Sequence, residues 1–363
     1  MQYRGEMGLI ARSSNYELYG DMSHRLLQVV SEHSSEVEKY SIDEAFAVLR
    51  STPSEAAARG RALRQDVARR LDLPVGVGVG RTKTLAKLAN LAAKKMPAMQ
   101  GVCVWEDLDP DYRESLLARL PLDRVWGVGG RTVKRLHALG IEYVAQLRDA
   151  DPQEIRRRFS ITLMRTVLEL RGEPCIELEE EREFKDSLVF SRSFSTPVTE
   201  EKVMGEVLSS YAQRACMRLS SRSTEARILT AWAMTSRYGE GAGHAPSVTL
   251  TLPAPTDDPL TMMRAAKSLL PHIREGTRYT RAGVTLTGLA PAGRQRSFDL
   301  FAEDSERPSL GPLLQRVRSR AGSESIGLGR TGFRASQEWE MRREMMSPRY
   351  TTRWDELLVV RAC

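Results

Sequence analysis

The chain has 363 residues, enough for two or three domains that each bury a core, and its 54 Lys and Arg against 47 Asp and Glu give a formal charge of +7. That balance biases it toward polyanions and away from acidic partners. Cys103, Cys175, Cys216 and Cys363 lie far apart with no C-x-x-C pair, which argues against a disulfide framework or a zinc site; no stretch reaches transmembrane length, and MQYRGEMGLIARSS lacks the apolar core of a signal peptide, so a cytoplasmic protein is expected.

From Asn15 to Val30, Leu18, Met22, Leu26, Val29 and Val30 recur at three- and four-residue steps and predict an amphipathic helix. VEKYSIDEAFAVL, residues 37 to 49, is rich in β-formers and broken by Asp43 and Glu44, which predicts two strands meeting at an acidic corner. Thr52-Pro53-Ser54-Glu55 combines a capping threonine, a proline at the first helical position and a glutamate three after the cap, opening a helix to about Leu71. PVGVGVG (74 to 80) predicts a short buried strand, Thr82 caps a helix over KTLAKLANLAAKKM, and VCVW (102 to 105) closes an α/β unit. A mainly helical stretch runs from Asp109 to the stop signal Arg171-Gly172-Glu173-Pro174. After the charged connector ELEEEREFKD come strand 187–194, helix 199–221, strands 226–236 and 247–252, helix 258–274 and strand 281–288, the order of a split β-α-β-β-α-β unit. From Pro291 the composition turns to Arg, Ser and Gly, the character of a linker and irregular tail.

Three local patterns bear on chemistry. Asp43 and Glu44 at a strand edge supply hard oxygen ligands of the kind Mg²⁺ takes, and a solvated turn is the other reading of the same pair. Lys83, Lys87 and Lys94 are spaced to share one helical face, with Leu85, Leu88 and Ala92 opposite; such a row is either a solvated surface or an anion site. Trp126-Gly127-Val128-Gly129-Gly130 between helical segments reads as a helix-hairpin-helix. Its Gly127 and Gly129 let a phosphate approach closely, and with Arg131, Lys134 and Arg135 just beyond, it would grip a duplex backbone without reading base sequence.

YSIDEAF resembles the second catalytic motif of the Y-family DNA polymerases, and SSNYELYGDMSHR before it strengthens the match. The likeness continues through VGVGVGRTKTLAKLANLAAKK, VWGVGGRTVKRLHALGI, LRGEPC, SRSF and SPRYTTR, covers essentially the whole chain, and is of the UmuC type. The resemblance implies an α+β, multidomain protein: a partial palm (1–108), a thumb with the helix-hairpin-helix (109–174), a linker (175–185), a little finger (186–290), and a clamp-binding linker with an irregular C-terminal tail (291–363). It implies error-prone translesion synthesis by template-directed nucleotidyl transfer in the SOS response. Mg²⁺ would sit at Asp43 and Glu44 and the incoming triphosphate at Lys94, with Lys83 and Lys87 left to the surface. Ser191, Arg192 and Ser193, with Arg278 and Arg281, become candidate phosphate ligands of the little finger.

Phe298, Leu300 and Phe301 resemble the short peptide with which bacterial polymerases dock on the sliding clamp, although Ser297 stands where the family pattern usually opens with glutamine. Implied partners are primer-template and damaged DNA, the clamp, a processed UmuD-type subunit and the RecA filament. The family's first palm strand with its catalytic aspartate, the steric gate and the fingers all precede SSNYELY. The chain as written is therefore expected to open inside the palm, with a two-metal site short of one carboxylate, and to be poorly stable or inactive alone. A non-catalytic DNA- and clamp-binding module derived from such a polymerase is the alternative.

Overall fold

The computed structural model describes residues 8–179, 187–236, 238, 243–292, 310–321, 326, 328, 339–341 and 343–360. Two compact units divide the chain: residues 1–181 with 345–363, and residues 182–344.

The first unit begins with α1 (Tyr16–His33), started by Asn15, whose side-chain oxygen accepts from Leu18 N. The antiparallel pair β1 (Val37–Lys39) and β2 (Ala45–Ala47) follows. The acidic corner lies between them, its turn closed by Tyr40 N and Ser41 N, which donate to Glu44 O at 3.1 and 3.0 Å. The long α2 (Pro53–Leu71) starts with the expected capping box of Thr52 and Glu55 and packs on α1.

Next come β3 (Val77–Val79), α3 (Lys83–Lys95) and β4 (Val102–Val104), with β3 and β4 parallel and joined through α3 as a βαβ unit. Gly78 is required by close approach: a Cβ there would stand 2.1 Å from Asn90 N and 2.3 Å from Ala86 O, so strand and helix backbones touch. Gly78→Ala is expected to destabilise the first unit by about 3 kcal/mol, read as a lowered midpoint in urea; an unchanged midpoint would show that the backbones are not in contact.

Five helices complete the unit: α4 (Pro110–Arg119), α5 (Gly130–His137), α6 (Val144–Asp149), α7 (Pro152–Arg158) and α8 (Ile161–Leu170). Leu88 and Ala92 of α3 share one core with Leu117, Leu136, Leu147 and Val167 from these helices. Among the described residues the pairs β1-β2 and β3-β4 are not hydrogen-bonded to each other. A groove of about 890 Å³ is lined by Ala45 to Leu49 on one side and Val75 to Gly80 on the other, and apolar side chains such as Leu26 and Leu63 form part of its wall.

The second unit has the expected β-α-β-β-α-β order: β5 (Ser187–Val198), α9 (Glu201–Ser220), β6 (Thr224–Thr235), β7 (Ser247–Thr256), α10 (Pro259–Ala266) and β8 (Tyr279–Pro291). The four strands form an antiparallel sheet in the order β5-β8-β6-β7, with α9 and α10 packed on one face over a core that includes Phe190, Tyr211, Leu229 and Val284. The helix expected over 258–274 stops being α-helical at Ala266 and tightens to a 3₁₀ turn over Lys267–His272, which contains Pro271, a residue with no N–H to donate.

The described residues of the tail are more ordered than its composition implied. α11 (Leu310–Ala321) packs on α9, and Trp339 joins the core of the second unit against Phe194 and Tyr211. In the first unit the end of the tail docks at the start of α1. Ser13 N donates to Met345 O at 2.9 Å, and the buried Asn15 side chain donates to Ser347 O at 2.9 Å and Pro348 O at 3.3 Å. Arg349 donates to Glu356 through its backbone N (2.6 Å) and Nε (2.8 Å) and reaches Glu17 at 3.3 Å, while Thr352 Oγ1 donates to Glu17 at 3.1 Å. SPRYTTR is thus a docking segment for α1.

Those bonds, first the Arg349 side chain and then its backbone N–H, hold the Glu356 carboxyl down at about 2 from an ordinary 4.5. Because the folded value is depressed, the contribution is complete above about 4.5 and is lost as pH falls toward about 2. The Arg349 amide signal in NMR should therefore titrate near 2, and a midpoint near 4.5 would mean that the pair does not form.

Candidate polymerase site and nucleic-acid surfaces

At the acidic corner Asp43 is exposed, and its carboxylate accepts from Ser41 Oγ at 2.6 Å. Glu44 is half-buried and accepts from Lys87 Nζ at 2.6 Å. The Lys87 ammonium also lies 5.3 Å from the Tyr40 ring centroid. Tyr40, Phe46 and Trp126 form an aromatic trio with centroids 5.4 to 5.6 Å apart, Tyr40 edge-on to both others and Phe46 tilted against Trp126, and Trp126 Nε1 donates to Tyr40 OH at 2.8 Å. This trio ties the corner to the residue immediately before Gly127.

The α3 lysines have three different fates. Lys83, expected on the surface, is buried: it pairs with buried Glu38, donates to Glu177 O at 2.6 Å, and lies 5.1 Å from the Phe46 ring centroid. Glu38 also accepts from Glu179 N at 2.6 Å, so the pair stitches β1, α3 and the chain after α8 together. Lys87 is likewise not a surface cation, being held by Glu44. Only Lys94 is exposed as expected, its aliphatic stem lying over Gly76. The helical-face reading placed the three lysines together correctly but missed that the start of α3 is enclosed by neighbouring chain.

Glu169, near the end of α8, is fully buried and was not singled out in the sequence. Its carboxylate accepts from Thr84 N (2.9 Å), Thr84 Oγ1 (2.7 Å), Ile176 N (3.0 Å) and Cys175 N (3.4 Å), and its backbone carbonyl accepts from Thr82 Oγ1 at 2.9 Å. A carboxylate at the first turn of α3 is also favoured by the partial positive charge there. Asp43, Glu44, Lys83, Lys87, Lys94 and Glu169 all line the one groove between β2 and β3. Among the described residues no cluster of three or more His, Cys, Asp or Glu is grouped to hold a metal. Two adjacent carboxylates, one open and one sharing a lysine, fit a Mg²⁺ ion that keeps waters and substrate oxygens as its remaining ligands.

At the hairpin, Gly127 takes φ +82°, and a Cβ at Gly127, Gly129 or Gly130 would meet nothing within 4 Å, so the turn faces solvent while buried Val128 anchors it. Gly129 caps α5, and Arg131 and Lys134 are exposed on that helix. Arg135 differs: it stacks 4.4 Å from the Phe159 ring centroid and donates to Arg158 O, serving as a clamp.

Strand alternation divides the candidates of the second unit. Ser191, Ser193 and Arg281 stand on the face away from the helices, in register through Ser191↔Gly283 and Ser193↔Arg281, and Arg281 donates to Ser191 Oγ at 2.9 Å. Thr230, Thr249, Thr285 and Trp232 extend that hydroxyl-rich face. Arg192 points the other way, 4.7 Å from the Phe190 centroid on the helix side, so it cannot share a ligand surface with its two serine neighbours. Arg278 is exposed before β8. Phe298, Leu300 and Phe301 lie outside the described residues.

The geometry of an acidic corner, a helix-hairpin-helix and a split β-α-β-β-α-β unit defines a Y-family polymerase fold. It is shared with a solved Y-family DNA polymerase chimera of Dbh and Dpo4 at TM-score 0.59 and 21% identity, covering 75% of this chain and 76% of that one. The chain matches the impB/mucB/samB family over 4–91, the family's HHH motif over 110–141, its C-terminal domain over 185–300, and a domain of unknown function (DUF4113) over 309–360. It is 40% identical over 362 residues to Protein UmuC of Salmonella typhimurium, covering 98% of this chain and 85% of that protein. It is also 40% identical over 351 residues to Protein MucB of Escherichia coli, covering 94% and 81%, and 29% identical over 286 residues to DNA polymerase IV of Methanoculleus marisnigri, covering 78% and 76%. The chain belongs to the UmuC/MucB/ImpB/SamB family of Y-family DNA polymerases. No helix among the described residues is long and apolar enough to cross a membrane.

Glu169→Gln would turn an amide NH₂ toward donors that need an acceptor. A loss of about 3 kcal/mol is expected in urea unfolding of the full chain, and a loss below about 0.5 kcal/mol, the size of a neutral surface change, would show that the carboxylate is not the latch.

Proposed function

We propose that the groove between β2 and β3 is the nucleotidyl-transfer site, with Asp43 and Glu44 holding Mg²⁺ and Lys94 holding the triphosphate. The activity is DNA-directed DNA synthesis past damaged template. The observation that carries the assignment is that Asp43, Glu44 and Lys94 line a single groove although 50 positions separate Glu44 from Lys94 in the sequence. When bound, the metal lowers the pKa of an attacking hydroxyl and stabilises a leaving oxygen. The chain's own residues do the rest. Asp43, steadied by Ser41, offers open carboxylate oxygens, while Lys87 offsets the Glu44 charge and fixes its rotamer. Lys94 neutralises charge that develops on pyrophosphate.

The palm spans 1–108, the thumb 109–174, the linker 175–185 and the little finger 186–290, with 291–363 as clamp-binding linker and tail. Gly127, Gly129, Arg131 and Lys134 grip the duplex backbone, and Ser191, Ser193 and Arg281 hold it from the little finger. Phe298, Leu300 and Phe301 dock on the sliding clamp. A processed UmuD-type subunit and the RecA filament are the other partners of this bacterial, cytoplasmic enzyme. The Lys87–Glu44 pair favours a second reading, a DNA- and clamp-binding module without chemistry, because that lysine already satisfies one of the two carboxylates.

Primer extension on a lesion-bearing template separates the two. Mg²⁺-dependent incorporation that falls at least about 10³-fold in Asp43→Ala, the scale of losing one transition-state charge contact, is the expected result. Incorporation untouched by that change would refute the site, and template binding with no incorporation would favour the module.

A further inference from the structure

The helix-covered side of the second unit carries a cationic cluster that the reading above does not use. Three guanidiniums surround the buried ring of Phe190: Arg192 at 4.7 Å from its centroid, Arg218 at 5.2 Å and Arg214 at 5.8 Å. Arg192 comes from β5, and Arg214 and Arg218 sit one turn apart on α9, where i and i+4 side chains are neighbours. Two of them are oriented by backbone: Arg192 Nη1 donates to Ser191 O at 2.9 Å and Arg218 Nη1 to Val189 O at 3.4 Å. Of the three, Arg214 pairs with a carboxylate, Glu340, at 3.1 Å. Burial, and then the charges of Arg218, Arg343 and Arg214, push the Arg192 guanidinium below its ordinary value.

A second, independent observation lies beside the cluster. Tyr211 and Trp339 are 2% and 6% exposed and pack edge to face at 5.8 Å, and Tyr211 lies 5.1 Å from Phe190. The Tyr211 hydroxyl and the Trp339 Nε1–H have no hydrogen-bond partner among the described residues. A buried donor without an acceptor is costly, and here two of them adjoin three packed like charges. An anion rich in acceptor oxygens would relieve the crowding of the three guanidiniums. Planar guanidinium forks match phosphate oxygens, and a row of cations drawn from a strand and a helix suits a repeating anion better than a single carboxylate.

We propose that Arg192, Arg214 and Arg218 form a second nucleic-acid backbone site, on the face of the unit opposite Ser191, Ser193 and Arg281, with Glu340 of the tail as its intramolecular competitor. The proposal rests on the DNA-binding reading of this chain and adds a surface to it. Phosphodiester oxygens would take the guanidinium forks, and Glu340, placed by the neighbouring Trp339 anchor, would leave Arg214 as DNA arrives.

The test is fluorescence anisotropy of a labelled single-stranded oligothymidylate with the full chain across a salt series. Arg214→Ala/Arg218→Ala removes two exposed cations and should weaken binding about tenfold at fixed salt. Loss of two phosphate contacts should also flatten the slope of log affinity against log salt by about 1.4. Glu340→Gln should tighten binding about threefold, and Arg214→Lys/Arg218→Lys should retain most of the slope, which a merely structural role of the arginines would not predict. Thermal melting of each variant guards against misfolding, and Arg281→Ala reports the opposite face. If Arg281→Ala weakens binding while the α9 variants leave affinity and slope intact, the second site is refuted and the DNA-binding reading survives. If neither face matters, the second site and the Ser191, Ser193 and Arg281 surface are both refuted, and the DNA-binding reading is left to Arg131 and Lys134 of the hairpin. If the α9 variants lose only poly-glutamate binding, the cluster takes an acidic protein segment and the proposal is overturned.

Discussion

A carboxylate sealed from solvent is tolerated only when donors surround it, and Glu169 meets that condition by collecting four of them from two places in the chain. Two come from Thr84 at the start of α3 and two from Cys175 and Ile176 beyond α8. Neither group can move without stranding a buried charge. The start of α3 is thereby fixed, and with it Lys83 against Glu38 and, one turn on, Lys87 against Glu44. The position of the acidic corner thus depends on a residue near the end of α8.

The corner is held from its other side by aromatic packing. Tyr40 and Phe46 flank the carboxylates in the sequence, and Trp126 closes on both, so the turn that presents Asp43 and the turn that presents Gly127 share one hydrophobic hinge pin. Asp43 is left with local support from Ser41 alone, while Glu44 is engaged by a lysine. Two adjacent side chains of the same chemical type therefore sit in different surroundings: one carboxylate is open, and the other has its charge already shared.

Much of this was legible in the sequence, for definite physical reasons. The capping signals at Thr52 and Thr82 are local, and each helix begins where they stand. The acidic corner was visible because polar residues interrupt two β-forming runs, and the split β-α-β-β-α-β unit because periods of two and 3.6 alternate cleanly. What escaped notice depended on partners distant in the chain. Lys83 looks like any surface lysine until Glu38 and Glu177 close over it, and Glu169 looks like one more helix glutamate. Arg192 could have been separated from Ser191 and Ser193 by strand parity alone, since adjacent strand residues face opposite ways. The tail misled through composition: a segment poor in apolar residues still orders when one tryptophan finds an aromatic slot and one arginine finds two carboxylates.

The contact at Gly78 has a consequence for how this protein can vary. Where side chains separate a strand from a helix, their bulk sets the gap, and drift in core composition shifts the two elements apart or together. Here peptide groups meet peptide groups, so the gap has a hard stop that no rotamer can adjust. The main chain acts as a calliper: Lys87 and Lys94 keep a constant offset from β3 however the surrounding hydrophobic residues are exchanged, and the groove's cationic wall is insulated from the ordinary turnover of its core.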